Sequence, residues 1–443
     1  MKEKNTVGIG RLQSFFDAGT FVELGAYICR PGTEDQAEGV ICGYGSMAGR
    51  LVFAFSQDSS LMKGALDGRH ADKIVRTYQK AMAVGAPIVG FFDCAGAVVF
   101  DGAAALAGYG TLLRTVAAAS GQIPQIAVIS GTCAGTMASV AALFDFTVAV
   151  KGSGHLYVSS PTQVGEEVGT AAYAFEHGNA AVLADGEGEA IAAVQKLLSY
   201  LPDHAAHGIP ALSTADDPNR AVPLGDRSTA KEALDVTADA GSFYEVLGGY
   251  GSAVTAGLAA FGGVSALALA MDGALDLSAV KKMRRMLTTA DAFGLPVVTL
   301  VNCTGLAANA AEEGELAAEL AALAKVQASA TTPRVTAIVG DAVGAGFIFG
   351  SCRALGADLV LSLPGAEIAA LTARSGVAFL WNDRITPETS RESLEKEWRE
   401  TVATPERAAA TGEVDDIIAP AELRARLVAA LYMLADKGRE VRL

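Results

Sequence analysis

Residues 123–140, IPQIAVISGTCAGTMASV, are the stretch around which the rest of the chain is read. Its apolar run, residues 126–129, reads as a short buried strand. Gly131-Thr132-Cys133-Ala134-Gly135 then reads as a sharp turn, and the small residues after it open a helix. The first four N–H groups of a helix have no partner inside it. Together with the positive end of the helix dipole they can hold an oxyanion or a phosphate.

The pattern returns at residues 332–351, TPRVTAIVGDAVGAGFIFGS. Pro124 and Pro333 lie 209 residues apart, as do Gly131 and Gly340, and Gly135 and Gly344. The same offset joins Gly64-Ala65-Leu66-Asp67 to Gly273-Ala274-Leu275-Asp276, and Gly85, Pro87, Cys94 and Gly96 to Gly294, Pro296, Cys303 and Gly305. One register over this much chain means two copies of one unit. A leading hairpin recurs too, Gly19-Thr20-Phe21-Val22-Glu23 answering Gly241-Ser242-Phe243-Tyr244-Glu245 at an offset of 222, so the first copy carries 13 extra residues behind its hairpin.

The chain has 443 residues and a net charge of −15, with a pI near 4.9. That balance argues against nucleic acid or an anionic membrane as partner. Hydrophobic content is 51% and mean hydropathy +0.32, yet no long apolar run free of charge or frequent glycine occurs. The reading is extensive helix packing and a large homo-oligomer interface. The N-terminal MKEKNTVGIG has no apolar signal segment, so a cytoplasmic location is expected. Six scattered cysteines without a CxxC pair read as reduced, buried thiols. No spacing of His, Asp and Glu suggests a metal site.

Taken in order, residues 39–58 read as two strands about a glycine-rich turn, 71–84 as an amphipathic helix, and 87–93 as a strand ending in Cys94-Ala95-Gly96-Ala97. Residues 103–119 read as a helix, 147–150 as a strand, 151–161 as a loop and 187–201 as a helix. The polar stretch after Pro202 reads as a linker. Near the C-terminus, residues 392–402 and 421–437 read as helices, the last with Leu423, Leu427, Leu431 and Leu434 on one packing face. Alternating strands and helices imply right-handed crossovers and mostly parallel sheets. The fold class is α/β.

With both halves laid out, the chain resembles the carboxyltransferase (beta) subunit of biotin-dependent acyl-CoA carboxylases and decarboxylases. The resemblance rests on Phe21-Val22-Glu23-Leu24, Gly43-Tyr44-Gly45, Gly49-Arg50-Leu51-Val52, Phe55-Ser56-Gln57-Asp58, Cys133-Ala134-Gly135 and LLSYLP at 197–202. In the second half it rests on Gly241-Ser242-Phe243, Asp291-Ala292-Phe293, Ala366-Glu367-Ile368-Ala369 and Asp415-Asp416-Ile417-Ile418. It implies two tandem crotonase-like (ββα-superhelix) domains. The first, residues 1–201, would take acyl-CoA; after a linker at 202–230, the second, residues 231–443, would take biotin. Biotin would ride on a separate carrier protein, since the chain lacks an Ala-Met-Lys-Met biotin site. Implied partners are the biotin carboxyl carrier with biotin carboxylase or membrane decarboxylase subunits, and further copies of this chain. In such families the site lies between the first half of one subunit and the second half of its neighbour.

The implied chemistry moves a carboxyl group between N1 of biotin and the α-carbon of an acyl thioester. Charge develops on the thioester oxygen and on the ureido oxygen, and preorganised backbone N–H groups stabilise both. Carried over by position, Gly135 and Thr136 serve the thioester side, Ala345 and Gly346 the biotin side. Ala95, Gly96, Ala134 and Gly344 line the two turns, while Lys63 and His70 stand within reach of a CoA phosphate. The chain departs from the family at Cys94, Ala95, Val98, Phe100 and Thr136 in the first half and at Asn302, Cys303, Thr304, Leu306, Val343, Ala345, Gly346 and Phe347 in the second. Non-glycine residues at turns restrict the backbone. Three other readings remain open at this point: the reverse half-reaction, decarboxylation, in a membrane-pump complex; a non-catalytic scaffold of the same fold; and a thiol hydrolase using Cys133 with His155 as base.

Overall fold

The computed structural model describes residues 6–29, 39–350 and 352–437. The chain divides into two compact units, Met1–Gly208 and Ile209–Leu443.

The first unit holds β1 (Val22–Leu24), β2 (Val40–Met47), β3 (Arg50–Gln57), β4 (Ile88–Cys94), β5 (Gln125–Ala134), β6 (Phe146–Val150), β7 (His155–Tyr157) and β8 (Val182–Ala184). They form one sheet in the order β1-β2-β3-β4-β5-β6-β8, with β7 paired to the far end of β5. The second unit repeats it with β9 (Tyr244–Val246), β10 (Val254–Phe261), β11 (Val264–Leu275), β12 (Val297–Leu306), β13 (Arg334–Val343), β14 (Leu359–Ser362), β15 (Glu367–Ala369) and β16 (Asp416–Ile417). The order is β9-β10-β11-β12-β13-β14-β16, with β15 on β13. In each, the first three strands are antiparallel and the rest parallel.

Proline starts the ladder at the same place in both units. It donates no N–H but its carbonyl still accepts. Pro87 O takes Phe53 N–H and Pro124 O takes Ile88 N–H, both over 2.9 Å, while Pro296 O and Pro333 O take Leu267 and Val297 N–H over 2.8 Å. The helix Gly68–Val84 begins at Asp67, whose carboxylate accepts from Arg69 and His70 N–H, and ends at left-handed Gly85. It packs against the helix Ala103–Ala119, where a Cβ on Gly108 would lie 3.2 Å from Ala71 Cβ. Ile74, Tyr78, Leu112 and Val116 close the layer over β3–β5. Each such large apolar side chain contributes roughly 1.5–3 kcal/mol by leaving water.

The thirteen extra residues of the first copy are resolved by strand register. Glu23 pairs with Gly43 where Glu245 pairs with Gly257, placing eight of them between β1 and β2. Phe53 pairs with Ile88 where Leu267 pairs with Val297, placing the other five after β3, just before Gly64.

Three expectations are corrected. β5 runs on to Ala134 instead of stopping at Ile129, because β7, read as loop, gives Thr132–Ala134 a parallel partner; the turn shrinks to Gly135. The stretch read as linker is bound from residue 209 onward to the second unit: Ala211 bridges Val264, and Val222 lies in that unit's core. The C-terminal helix spans only Leu423–Met433. Leu423, Leu427 and Leu431 are buried in the core of the second unit, with Leu434 packed against it, as the stripe implied. None of the described helices is long and apolar enough to cross a membrane.

Candidate functional site

Both units interrupt the same strand pair at the same place. Phe92 pairs with Ile129 and Cys94 with Cys133, so Asp93 faces a bulge in β5. Val301 pairs with Ile338 and Cys303 with Ala342, so Asn302 faces the matching bulge in β13. The side chain fills the bulge: Asp93 Oδ1 accepts from Thr132 N–H over 3.3 Å, and Asn302 Oδ1 from Asp341 N–H over 3.0 Å. Glycine opposite is a space requirement, since a Cβ on Gly131 would lie 2.1 Å from Asp93 Oδ1 and one on Gly340 2.2 Å from Asn302 Oδ1. The Asp93 carboxylate also accepts from Ser59 Oγ (2.7 Å) and Arg11 Nη1 (3.2 Å), so the buried charge is paired. Asn302 instead donates from Nδ2 to Asp272 Oδ1 over 2.9 Å.

Beyond the bulge, two turns leave each sheet side by side. In the first unit they carry Gly96 at φ 127° and Gly135 at φ 62°; in the second, the matching glycines are Gly305 at φ 118°, the penultimate residue of β12, and Gly344 at φ 52°. At these four positions, where the backbone needs positive φ, glycine has been kept. Thr136 and Ala345 begin helices and are not among the positive-φ residues, so the expected restriction at these departures does not arise. A Cβ on Gly96 or Gly135 would meet nothing within 4 Å, so both turns face open space.

The hydrogen bonds correct which N–H groups are open. Gly135 donates to Tyr157 O and Gly344 to Ala369 O, each over 2.9 Å, so neither is available to a ligand. The first open donor is one residue further on, at exposed Thr136 and half-buried Ala345. Gly346, expected to donate, is buried; a Cβ there would lie 2.6 Å from Cys303 O, so its smallness serves packing. Ala95 donates to Lys63 O over 3.0 Å, leaving Gly96 as the donor of that turn with no backbone acceptor among the described residues. Ala134 is a buried strand residue paired with Tyr157.

Lys63 is exposed and belongs to a left-handed run, Met62, Lys63 and Gly64 at φ 48°, 54° and 66°, whose first two residues end the five-residue insertion. His70 does not reach a phosphate: it is fully buried, its Nε2 within 3.2 Å of Gln57 Nε2. Gln57 Oε1 in turn accepts from Asp93 N–H over 3.2 Å. Cys133 is no nucleophile, because it is completely buried and desolvation raises its thiol pKa well above the ordinary value. His155 faces elsewhere, with Nδ1 2.9 Å from Ser153 O.

Sequence reasoning missed β7, β15 and the Arg11–Asp93 pair. The two short strands were signalled only by the repeat itself, each lending the carbonyl of its third residue to a turn glycine. Arg11 lies 82 residues from its partner and left no local signal.

The sequence matches the family described as carboxyl transferase domain over residues 2–442. Among curated relatives it is 35% identical to methylmalonyl-CoA decarboxylase subunit alpha of Veillonella parvula, over 96% of this chain and 89% of that one. It is 33% identical to the propionyl-CoA carboxylase carboxyltransferase subunit of Haloferax mediterranei, over 97% and 90%. The fold superposes on a solved transcarboxylase 12S, crystallised as a hexamer with methylmalonyl-coenzyme A bound, at a TM-score of 0.90 and 29% identity, covering 99% and 91%.

Proposed function

The chain belongs to the carboxyl transferase domain family and has its doubled crotonase-like fold, and on that footing we propose that it is the carboxyltransferase subunit that moves a carboxyl group between carboxybiotin on a separate carrier protein and a short acyl-CoA. The observation that carries the reading is the repeated turn pair, Gly96 with Gly135 and Gly305 with Gly344, each kept at positive φ beside an unpaired helix-start N–H. In the first unit, Thr136 and Gly96 N–H hold the thioester oxygen as it becomes an enolate. In the second, Ala345 and Gly305 N–H would face the ureido oxygen when biotin is bound; biotin would supply the carboxyl group, and the ureido nitrogen that releases it would take up the α-proton of the acyl-CoA. Two such donors on a developing oxyanion contribute roughly 3–4 kcal/mol of barrier each. No side-chain base is needed, which agrees with a site built of main chain. Lys63 meets a CoA phosphate from the left-handed loop beside Gly96.

The working form is a cytoplasmic homo-oligomer joined by a biotin carrier and either a biotin carboxylase or membrane decarboxylase subunits. The similar identities to a decarboxylase and to a carboxylase subunit support either direction, because both cross one transition state. The test is transfer of labelled carboxyl between carboxybiotin and a panel of acetyl-, propionyl- and butyryl-CoA by the purified chain. Transfer to at least one supports the reading; no transfer to any, with intact fold, leaves only a scaffold.

A further inference from the structure

The second unit holds its strand tip by a device the first lacks. In the β13–β15 pair, Asp341 lies opposite Glu367, and two residues on Val343 lies opposite Ala369, whose carbonyl fixes Gly344. Asp341 and Glu367 are both acidic, and side by side they would repel. Arg227, from the segment before the helix Ala230–Thr237, bridges them. Its Nη2 donates to Asp341 Oδ1 over 2.8 Å and its Nη1 to Glu367 Oε1 over 3.0 Å and Gly365 O over 3.1 Å. The backbone on either side is pinned to β13 and to the turn before β15: Ser228 N–H donates to Val339 O over 2.8 Å, and Asp226 O accepts from Gly365 N–H over 2.9 Å. A Cβ on Gly365 would lie 2.7 Å from Arg227 Cγ, so the chain makes room for this side chain. Arg399 Nε adds a second cation to Glu367 over 3.1 Å. In the first unit the corresponding register pair is Thr132 opposite His155, without such a bridge, and Arg11 steadies the bulge through Asp93.

We propose that Arg227 is a positioning residue for the second unit's oxyanion turn: by tying Asp341 to Glu367 it fixes the strand pair that aims the Ala345 N–H. A planar guanidinium reaching a side-chain oxygen on each of the two strands and a carbonyl just before β15 sets their relative placement in a way a single point charge does not. The inference rests on the functional reading above. Removing the bridge leaves two carboxylates opposed at Asp341, four residues before the first helical residue, and a misplacement of about 1 Å at an oxyanion donor is enough to slow turnover.

The experiment compares Arg227→Ala, Arg227→Lys and, as a matched control, Arg220→Ala, which removes an arginine of the same unit bound to Asp216 and to the far end of the helix Ala230–Thr237. Carboxyl transfer and thermal midpoint are measured for each. Expected for Arg227→Ala is a fall in kcat of roughly ten- to a hundredfold, with KM for acyl-CoA within about twofold of wild type because that substrate binds the other unit. Arg227→Lys recovers part of the loss, and Arg220→Ala lowers the midpoint but leaves kcat within about twofold. If Arg227→Ala does not fold, Asp341→Asn, which leaves the guanidinium a neutral acceptor, carries the same expectation at about threefold. An active wild type with kcat unchanged in the Arg227 variants, or lowered equally by Arg220→Ala, overturns the inference alone. A wild type that transfers nothing overturns the functional reading and the inference with it.

Discussion

The backbone N–H of Gly135 donates to the carbonyl of Tyr157 over 2.9 Å, and the equivalent bond joins Gly344 to Ala369 in the second unit. Each bond anchors a turn to a three-residue strand and moves the open donor one residue along the chain.

Thr136→Pro and Ala345→Pro therefore test the site directly. Proline at the first helical position keeps the helix while deleting the N–H. Each variant should lose about 10²–10³ in kcat for carboxyl transfer, while the thermal midpoint stays within a few degrees. Turnover retained by both would place the oxyanion donors elsewhere.

Glycines 131 and 110 make an opposed pair. Gly131→Ala drives a methyl into the Asp93 carboxylate and should destabilise by about 2–3 kcal/mol, as should Gly340→Ala against Asn302. Gly110, exposed within the helix Ala103–Ala119 and with nothing within 4 Å of its would-be Cβ, should gain about 0.5–1 kcal/mol as alanine. Denaturant midpoints decide both.

Lys63 keeps a lysine where the backbone has φ 54°. Lys63→Gly should relieve about 1 kcal/mol of backbone strain while raising KM for acyl-CoA about fivefold at low ionic strength, with the difference fading in high salt. A more stable variant with unchanged KM at low salt would remove Lys63 from the substrate site.

Lys282, buried in the helix Leu277–Ala292, donates to Tyr250 O over 2.9 Å, and desolvation lowers its pKa from 10.5 to about 8 against the pull of Glu245 and Asp276. The unfolded chain keeps this proton up to the ordinary lysine value, so between pH 8 and 10.5 unfolding takes up a proton and stability rises with pH. Below that window the folded protein carries the full cost of a buried ammonium, about 3 kcal/mol. Lys282→Met should flatten the rise measured between pH 8 and 10 by chemical denaturation; an equal slope in both proteins would show that the amine titrates normally.

The sequence by itself determined the duplication, the α/β class, most strands and helices, and the glycines of the turns. All of these follow from local periodicity and from a register counted along the chain. Only the tertiary structure decided which amides stay open, because Tyr157 and Ala369 reach Gly135 and Gly344 from short strands with no periodic signal of their own. It also decided that His70 and Cys133 are buried, that Asp93 and Asn302 fill the bulges, and that Arg227 joins residues 114 and 140 positions away. Hydrogen bonding and burial at these places depend on which atoms the fold brings within 3 Å of one another, and spacing along a chain does not encode that distance.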